Sequence, residues 1–220
     1  MDKMIFLDIS ASEPFLCMMK YDAVIFDLGG VVLNLDYSAT TRAFENLGLK
    51  DFSKLYSQLS QTNLFSDFET GKIASQHFIN NLLQYLPSGT SPNEVVSAWN
   101  KMILDVPSER LDLLLRLKEQ LPIFLLSNTN ELHVSLVRRH WNETSPLPME
   151  HFFNTIYFSY EMKMRKPDPE IFLTVCRLEG LNPINTLFID DTSVHIEGAQ
   201  KAGLLTYHLK DPDELFKFFS

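Results

Sequence analysis

The chain has 220 residues, 45% of them hydrophobic and 21% charged, with a net charge of −9. That balance supports a packed core and excludes a disordered chain, and the length suits one large domain or a core with a small second lobe. The acidic balance argues against non-specific binding to nucleic acid or an anionic membrane, and no apolar stretch is long enough to span a bilayer. The two cysteines, Cys17 and Cys176, suggest no disulfide framework, so free thiols in a reducing, cytoplasmic setting are expected.

Residues 1–19 look neither like a signal peptide nor like a folded element, because Asp2, Asp8, Glu13 and Pro14 interrupt the apolar residues. They read as an N-terminal extension packed on the core, or as a start codon assigned too far upstream. The first strand is Ala23 to Phe26; it delivers Asp27, followed by Leu28-Gly29-Gly30. From Asp36 to Val106 no convincing strand occurs. Helices are expected at Ser38 to Leu47, Phe52 to Gln61, Lys72 to Leu86 and Pro92 to Leu104, punctuated by Gly48, Gly71 and Pro87-Ser88-Gly89. Strands and helices then alternate. The strands are Ile123 to Leu126, Thr155 to Ser159, Thr186 to Ile189 and Leu204 to His208; the helices are Ser108 to Gln120, Glu131 to His140, Pro169 to Glu179 and Val194 to Ala202. Asp168 and Pro169 suit a helix start, and Gly180 and Gly203 suit helix ends. The pattern predicts an α/β fold: a Rossmann-like parallel-sheet core (20–35 and 107–220) with a small all-helical insertion (36–106) after the first core strand.

Four segments carry candidate chemistry, each with a plain structural alternative. Asp27 stands at a strand's carboxyl end, where ligands bind in open α/β sheets, but an Asp there also caps helices. Ser127-Asn128 ends the second strand with hydroxyl and amide groups, as a simple turn would. Arg165-Lys166-Pro167 puts two cations before a helix, where solvated side chains are common. Asp190-Asp191 ends an apolar strand in adjacent carboxylates, which repel unless a cation or hydrogen bonds compensate; they also suit a helix start.

In this order, the segments resemble the signature motifs of the haloacid dehalogenase-like hydrolase superfamily, from about Lys20 to about Leu209. The resemblance implies that Asp27 attacks phosphorus to form an aspartyl-phosphate. Ser127 and the Asn128 amide would hold the phosphoryl oxygens, and Lys166 would neutralise charge between the two anions. It implies Mg²⁺ bound by Asp27, the Gly29 carbonyl and Asp191, with Asp190 and His195 supporting the site without touching the metal. The insertion would be a cap that closes over the site and reads the part of the substrate that does not react.

Two departures stand out. Phosphatases of this superfamily carry a second Asp two residues after the nucleophile as general acid and base, a contribution of roughly 10²–10⁴-fold. Here that position is Gly29. His195 stands where the family usually has Asn or Asp; a neutral imidazole there can hydrogen-bond a carboxylate or a metal-bound water, or simply pack. The Asp-Leu-Gly sequence, Leu126-Ser127-Asn128-Thr129-Asn130, Met164-Arg165-Lys166-Pro167 and Ile196-Glu197-Gly198-Ala199 resemble a smaller branch that includes a bacterial α-D-glucose-1-phosphate phosphatase. An anomeric oxygen leaves more readily than an ordinary alkoxide, which would suit a site lacking that acid. Asp36 or Glu69 are candidate proton sources, although a helix cap for Asp36 and a solvated face for Glu69 are the favoured readings. His77, His133, His140, His151 and His208 show no ligand spacing, and Phe65, Phe68 and Phe78 read as the insertion's own core.

The expected function is Mg²⁺-dependent hydrolysis of a small phosphomonoester, such as a hexose-1-phosphate. The expected partner is a small phosphorylated metabolite, with no nucleic acid and no membrane. The alternatives are dehalogenase-like displacement at carbon, or an inactive relative that binds a phosphorylated ligand or a partner protein.

Overall fold

The computed structural model describes residues 21–220; the extension read in residues 1–19, with Cys17, lies outside them. Five strands form one parallel sheet: β1 (Ala23–Phe26), β2 (Ile123–Ser127), β3 (Thr155–Phe158), β4 (Thr186–Asp190) and β5 (Leu205–His208), in the order β3-β2-β1-β4-β5. The central strands are buried at every position, as expected for a parallel sheet covered on both faces.

Alternation along β1 divides the core. Val24 and Phe26 join one apolar cluster, with Leu125, Ile189 and helices α6 (Ser108–Lys118) and α7 (Glu131–Thr144). Ala23 and Ile25 join the other, with Phe124, Phe188 and helices α9 (Pro169–Glu179) and α10 (Ser193–Lys201). Helix α7 runs past the expected end at His140 because Trp141, fully buried against Phe152, belongs to the core.

Between β1 and β2 lie α1 (Tyr37–Asn46), α2 (Phe52–Gln61), α3 (Leu64–Glu69), α4 (Ser75–Leu83) and α5 (Pro92–Trp99). They enclose a cluster of their own. Phe44 stacks on Phe52 at 4.5 Å, Phe68 on Phe78 at 4.2 Å and Phe65 on Trp99 at 5.6 Å between ring centroids. The chain leaves and rejoins the sheet side by side: the Asp36 N–H donates to the Met102 carbonyl (2.9 Å) and the Asn34 N–H to the Asp105 carbonyl (3.0 Å). Helix α3 and the short α8 (Ser159–Met162) and α11 (Glu214–Phe218) were not expected from sequence. The expected helix Lys72 to Leu86 shrinks to α4, because the Lys72 N–H folds back on the Asp67 carbonyl. Among the described residues no helix is long and apolar enough to cross a membrane.

Helix α10 approaches the Lys166-Pro167 turn so closely that a Cβ on Gly198 would lie 2.2 Å from the Pro167 carbonyl oxygen. Gly198→Ala should therefore destabilise the protein by about 1–3 kcal/mol, as overpacking does. Thermal melts would show this at about 2–4 °C per kcal/mol, and an unchanged melt would mean that the contact yields freely.

Candidate active site

The sheet register brings the site together. Phe26 pairs with Ile189, so the residues that follow, Asp27 and Asp190, emerge beside each other. Lys166, between α8 and α9, reaches both: its Nζ lies 2.8 Å from Asp27 Oδ1 and 2.7 Å from Asp190 Oδ2. Lys166 and Asp190 are fully buried and Asp27 is 7% exposed. A side-chain clasp fixes the lysine backbone. Asn128 Oδ1 accepts from the Lys166 N–H (2.9 Å), and Asn128 Nδ2 donates to the Lys166 carbonyl (2.8 Å). The sequence had offered only the Asn128 backbone amide as functional; its side chain holds the lysine.

The two carboxylates differ electrostatically. Asp190 accepts hydrogen bonds from Lys166, from the Thr192 N–H (2.8 Å) and from His195 Nδ1, 3.1 Å from both oxygens. Burial raises its pKa, but Lys166 and His195 overcome this and hold it down at about 2. Burial dominates at Asp27. Lys166 pulls its pKa down and charged Asp190 pushes it up, leaving it at about 7. Burial also opposes the Lys166 charge, yet Asp190 and Asp27 more than offset it, and the ammonium stays firmly protonated.

Asp27, Asp190 and His195 offer ligand atoms within 4.8 Å of one another. A cation held between Asp27 and Asp190 would nevertheless meet the Lys166 ammonium, which already bridges them. The better cradle is beside Asp27 and Asp191. Gly30, at φ 72°, carries no Cβ; one placed there would lie 2.2 Å from Asp191 Oδ2. Hard carboxylate oxygens in a pocket kept open by glycine suit Mg²⁺. Burial and then the neighbouring Asp190 raise the Asp191 pKa, a cost that a divalent cation would relieve.

These groups face a cavity of about 570 Å³. Asp27, Gly29, Ser127, Asn128, Asp191 and His195 line one side, and Tyr37, Thr40, Tyr56, Glu69 and Trp99 line the side formed by the helical segment. Lys166 lies beneath the lining rather than on it. Asp36 is a helix cap, accepting from the Ser38 N–H at 2.9 Å. Glu69 does not lie on a solvated face: it lines the cavity, with Oε2 3.0 Å from Arg165 Nη1. Phe65, Phe68 and Phe78 pack inside the helical segment as expected. His133 and Trp99 were missed as cavity residues. The His133 ring stacks on Trp99 at 5.1 Å, and burial drives its pKa down to about 4, so it is neutral. No short-range signal marks either residue, because only the packing of α5 on α7 brings them to the cavity.

The elevated Asp27 pKa has a consequence for stability. A folded-state pKa above the unfolded value means that proton binding favours the folded form; this stabilisation is complete below about pH 4 and lost as pH rises through about 7. Without divalent cations, Asp27→Asn should raise Tm at pH 8 by several degrees and leave it nearly unchanged at pH 5. Equal shifts at both pH values would contradict this assignment.

A description of the haloacid dehalogenase-like hydrolases matches residues 21–203. A D-ribitol-5-phosphate phosphatase from Bacteroides thetaiotaomicron is 30% identical over 184 residues, covering 84% of this chain and 89% of the relative. A glyceraldehyde 3-phosphate phosphatase from Methanopyrus kandleri is 30% identical over 76 residues, 34% of this chain and 33% of that protein. The crystal structure of the HAD family enzyme bt-2542 from Bacteroides thetaiotaomicron, in complex with magnesium and inorganic phosphate, superposes with a TM-score of 0.80 at 34% identity, covering 89% of this chain and 99% of that one. With its parallel sheet and the buried lysine bridging two strand-end aspartates, this chain belongs to the haloacid dehalogenase-like hydrolase family.

Proposed function

We propose that this hydrolase is a Mg²⁺-dependent phosphatase that cleaves a small phosphorylated sugar or polyol through an aspartyl-phosphate on Asp27. The observation that carries the reading is the buried Lys166 bridging Asp27 and Asp190 directly under the cavity. In the first half-reaction the Asp27 carboxylate attacks phosphorus as the phosphorus–oxygen bond to the sugar or polyol breaks and that oxygen leaves with the electron pair. Ser127 and the Asn128 N–H, at the end of β2, donate to the phosphoryl oxygens. Lys166 offsets charge as the two anions approach. In the second half-reaction water cleaves the acyl phosphate and returns Asp27. Catalysis on this scheme is mainly positioning and electrostatics. Asp27, Asp191 and the Gly29 carbonyl would hold Mg²⁺, which supplies positive charge beside the phosphoryl group. Asp190 and His195 keep Lys166 and the strand end in place.

Residues 36–106 act as the cap over the core formed by 20–35 and 107–220. The cap supplies Tyr37, Tyr56 and Trp99, a wall suited to the carbon skeleton and hydroxyls of a polyhydroxy substrate. The substrate class draws on the two relatives named for polyol and triose phosphates. A hexose-1-phosphate belongs to the same class, and Gly29 favours it through its better leaving group. Displacement at carbon fits less well, since a second carboxylate at Asp191 without a metal would hinder a nucleophilic Asp27.

A panel of phosphorylated sugars and polyols, assayed with Mg²⁺ and with a chelator, tests the reading. Turnover should require the cation, and Asp27→Asn should reduce it by about 10³-fold or more, as loss of a nucleophile does. Turnover that survives the substitution would place the chemistry elsewhere.

A further inference from the structure

An alkyl phosphate releases an alkoxide, which needs a proton as it leaves. Position 29 cannot supply one. It is glycine, and the space a side chain would enter is filled: a Cβ there would lie 2.5 Å from Leu35 Cδ1. The other acids of the site are committed. Asp190 is held charged by three donors, and Asp27 and Asp191 are reserved for attack and for the cation. Both ring nitrogens of neutral His133 are engaged, by Asn130 Nδ2 (3.2 Å) and by the Trp99 carbonyl (3.3 Å). The phenols of Tyr37 and Tyr56 are weak acids, with an ordinary pKa of about 10.

One carboxyl group remains among the described residues that line the cavity. Glu69 ends α3 on the wall facing Asp27. Its backbone is pinned to the phosphate side: Ser159 Oγ donates to the Glu69 carbonyl (2.6 Å) and accepts from the Thr129 N–H (2.9 Å), just after β2. Its carboxylate meets Arg165, the residue next to Lys166. Two consecutive cations thus each hold one cavity carboxylate, Lys166 on Asp27 and Arg165 on Glu69. Oε2 lies buried against Arg165 without an aligned hydrogen bond, while the side chain as a whole keeps 23% of its surface exposed where it lines the cavity.

Building on the phosphatase reading, we propose that Glu69 is the general acid and base of this chain, taking the role that Gly29 leaves open. As the Asp27–phosphorus bond forms and the phosphorus–oxygen bond to the leaving group breaks, the electron pair goes to the leaving oxygen. That oxygen takes the Glu69 proton and departs as an alcohol. In the second half-reaction the Glu69 carboxylate takes a proton from the attacking water. A water–phosphorus bond forms, the Asp27–phosphorus bond breaks, and Glu69 is left protonated for the next cycle. Burial raises the Glu69 pKa against the pull of Arg165 and Lys166, which favours its protonated form.

The test is leaving-group dependence. p-Nitrophenolate needs no proton to leave, whereas the alkoxide of a sugar or polyol phosphate does. Glu69→Gln should lower the ratio of kcat/KM for the best alkyl phosphate to that for p-nitrophenyl phosphate by about 10²-fold, and Glu69→Asp should restore part of it. An equal loss on both substrates would mean a structural or binding role and would overturn the proposal, as would an unchanged ratio. Should the Gln variant not fold, a series of aryl and alkyl phosphates with the wild-type protein serves instead. A shallow dependence of rate on leaving-group pKa is expected, and a steep one refutes proton donation. Wild-type protein inactive on every phosphate with Mg²⁺ would sink the phosphatase reading itself, and this one with it.

Discussion

One ammonium group, buried without solvent contact, sets the terms for the rest of the structure. Lys166 has no access to water, and an isolated charge in such a place would cost several kcal/mol. It is tolerated because two carboxylates flank it and the Phe188 ring lies 5.3 Å from its Nζ. Those carboxylates are in reach only because β1 and β4 pair in a register that ends the two strands side by side. The lysine backbone is in reach only because Asn128 clasps it and Gly198 lets α10 come close. Two strand ends therefore meet at one nitrogen, and two further stretches of chain hold the lysine backbone where its side chain can reach them.

The same ammonium serves two carboxylates unequally, and the inequality is useful. Asp190 collects a full set of donors and stays ionised. At Asp27 the pull of the ammonium is opposed by burial and by the neighbouring charge of Asp190, and these prevail. Environment alone gives two chemically identical side chains different tasks, one a fixed anion and the other a carboxylate whose charge is costly to keep. The positive charge that favours the ionised form of Asp27 comes from Lys166, 2.8 Å away.

Much of this was legible in the sequence because the central strands are near-continuous apolar runs that end abruptly in polar residues. Strand β1 lies where its composition put it, from Ala23 to Phe26, and β2 and β4 each extend one residue further, to Ser127 and Asp190. Asp27, Lys166 and Asp190 could be singled out because each stands at such a boundary or before a helix start. What stayed hidden depends on packing between distant segments. Helix α3 is too short to show a period, so Glu69 read as solvated. Its neighbour across the cavity, Arg165, lies far away in the chain. The Asn128 side chain could be assigned to the lysine backbone only once β2 and the loop before α9 were seen together. His195 illustrates the middle ground: sequence left it between bonding a carboxylate or a metal-bound water and simple packing, and its Nδ1 lies 3.1 Å from both Asp190 oxygens.

The segment from Ser159 to Lys166 links the two walls of the cavity. It sends Lys166 down to the sheet, while Ser159, Lys163 and Arg165 reach up to the helical segment, to the Glu69 carbonyl, the Gly71 carbonyl (3.0 Å) and the Glu69 carboxylate. Gly71 itself admits this approach, since a Cβ there would lie 2.3 Å from the Tyr160 carbonyl oxygen. A strap that carries both the lysine under Asp27 and the contacts holding Glu69 makes the spacing between the two carboxylates a property of one short stretch of backbone. The helical wall is also tied to α7, by Ser75 and Glu131 at the surface, where water competes for the bond, and by the buried His133 ring against Trp99. The strap therefore positions Glu69 by the same residues that position Lys166 between Asp27 and Asp190.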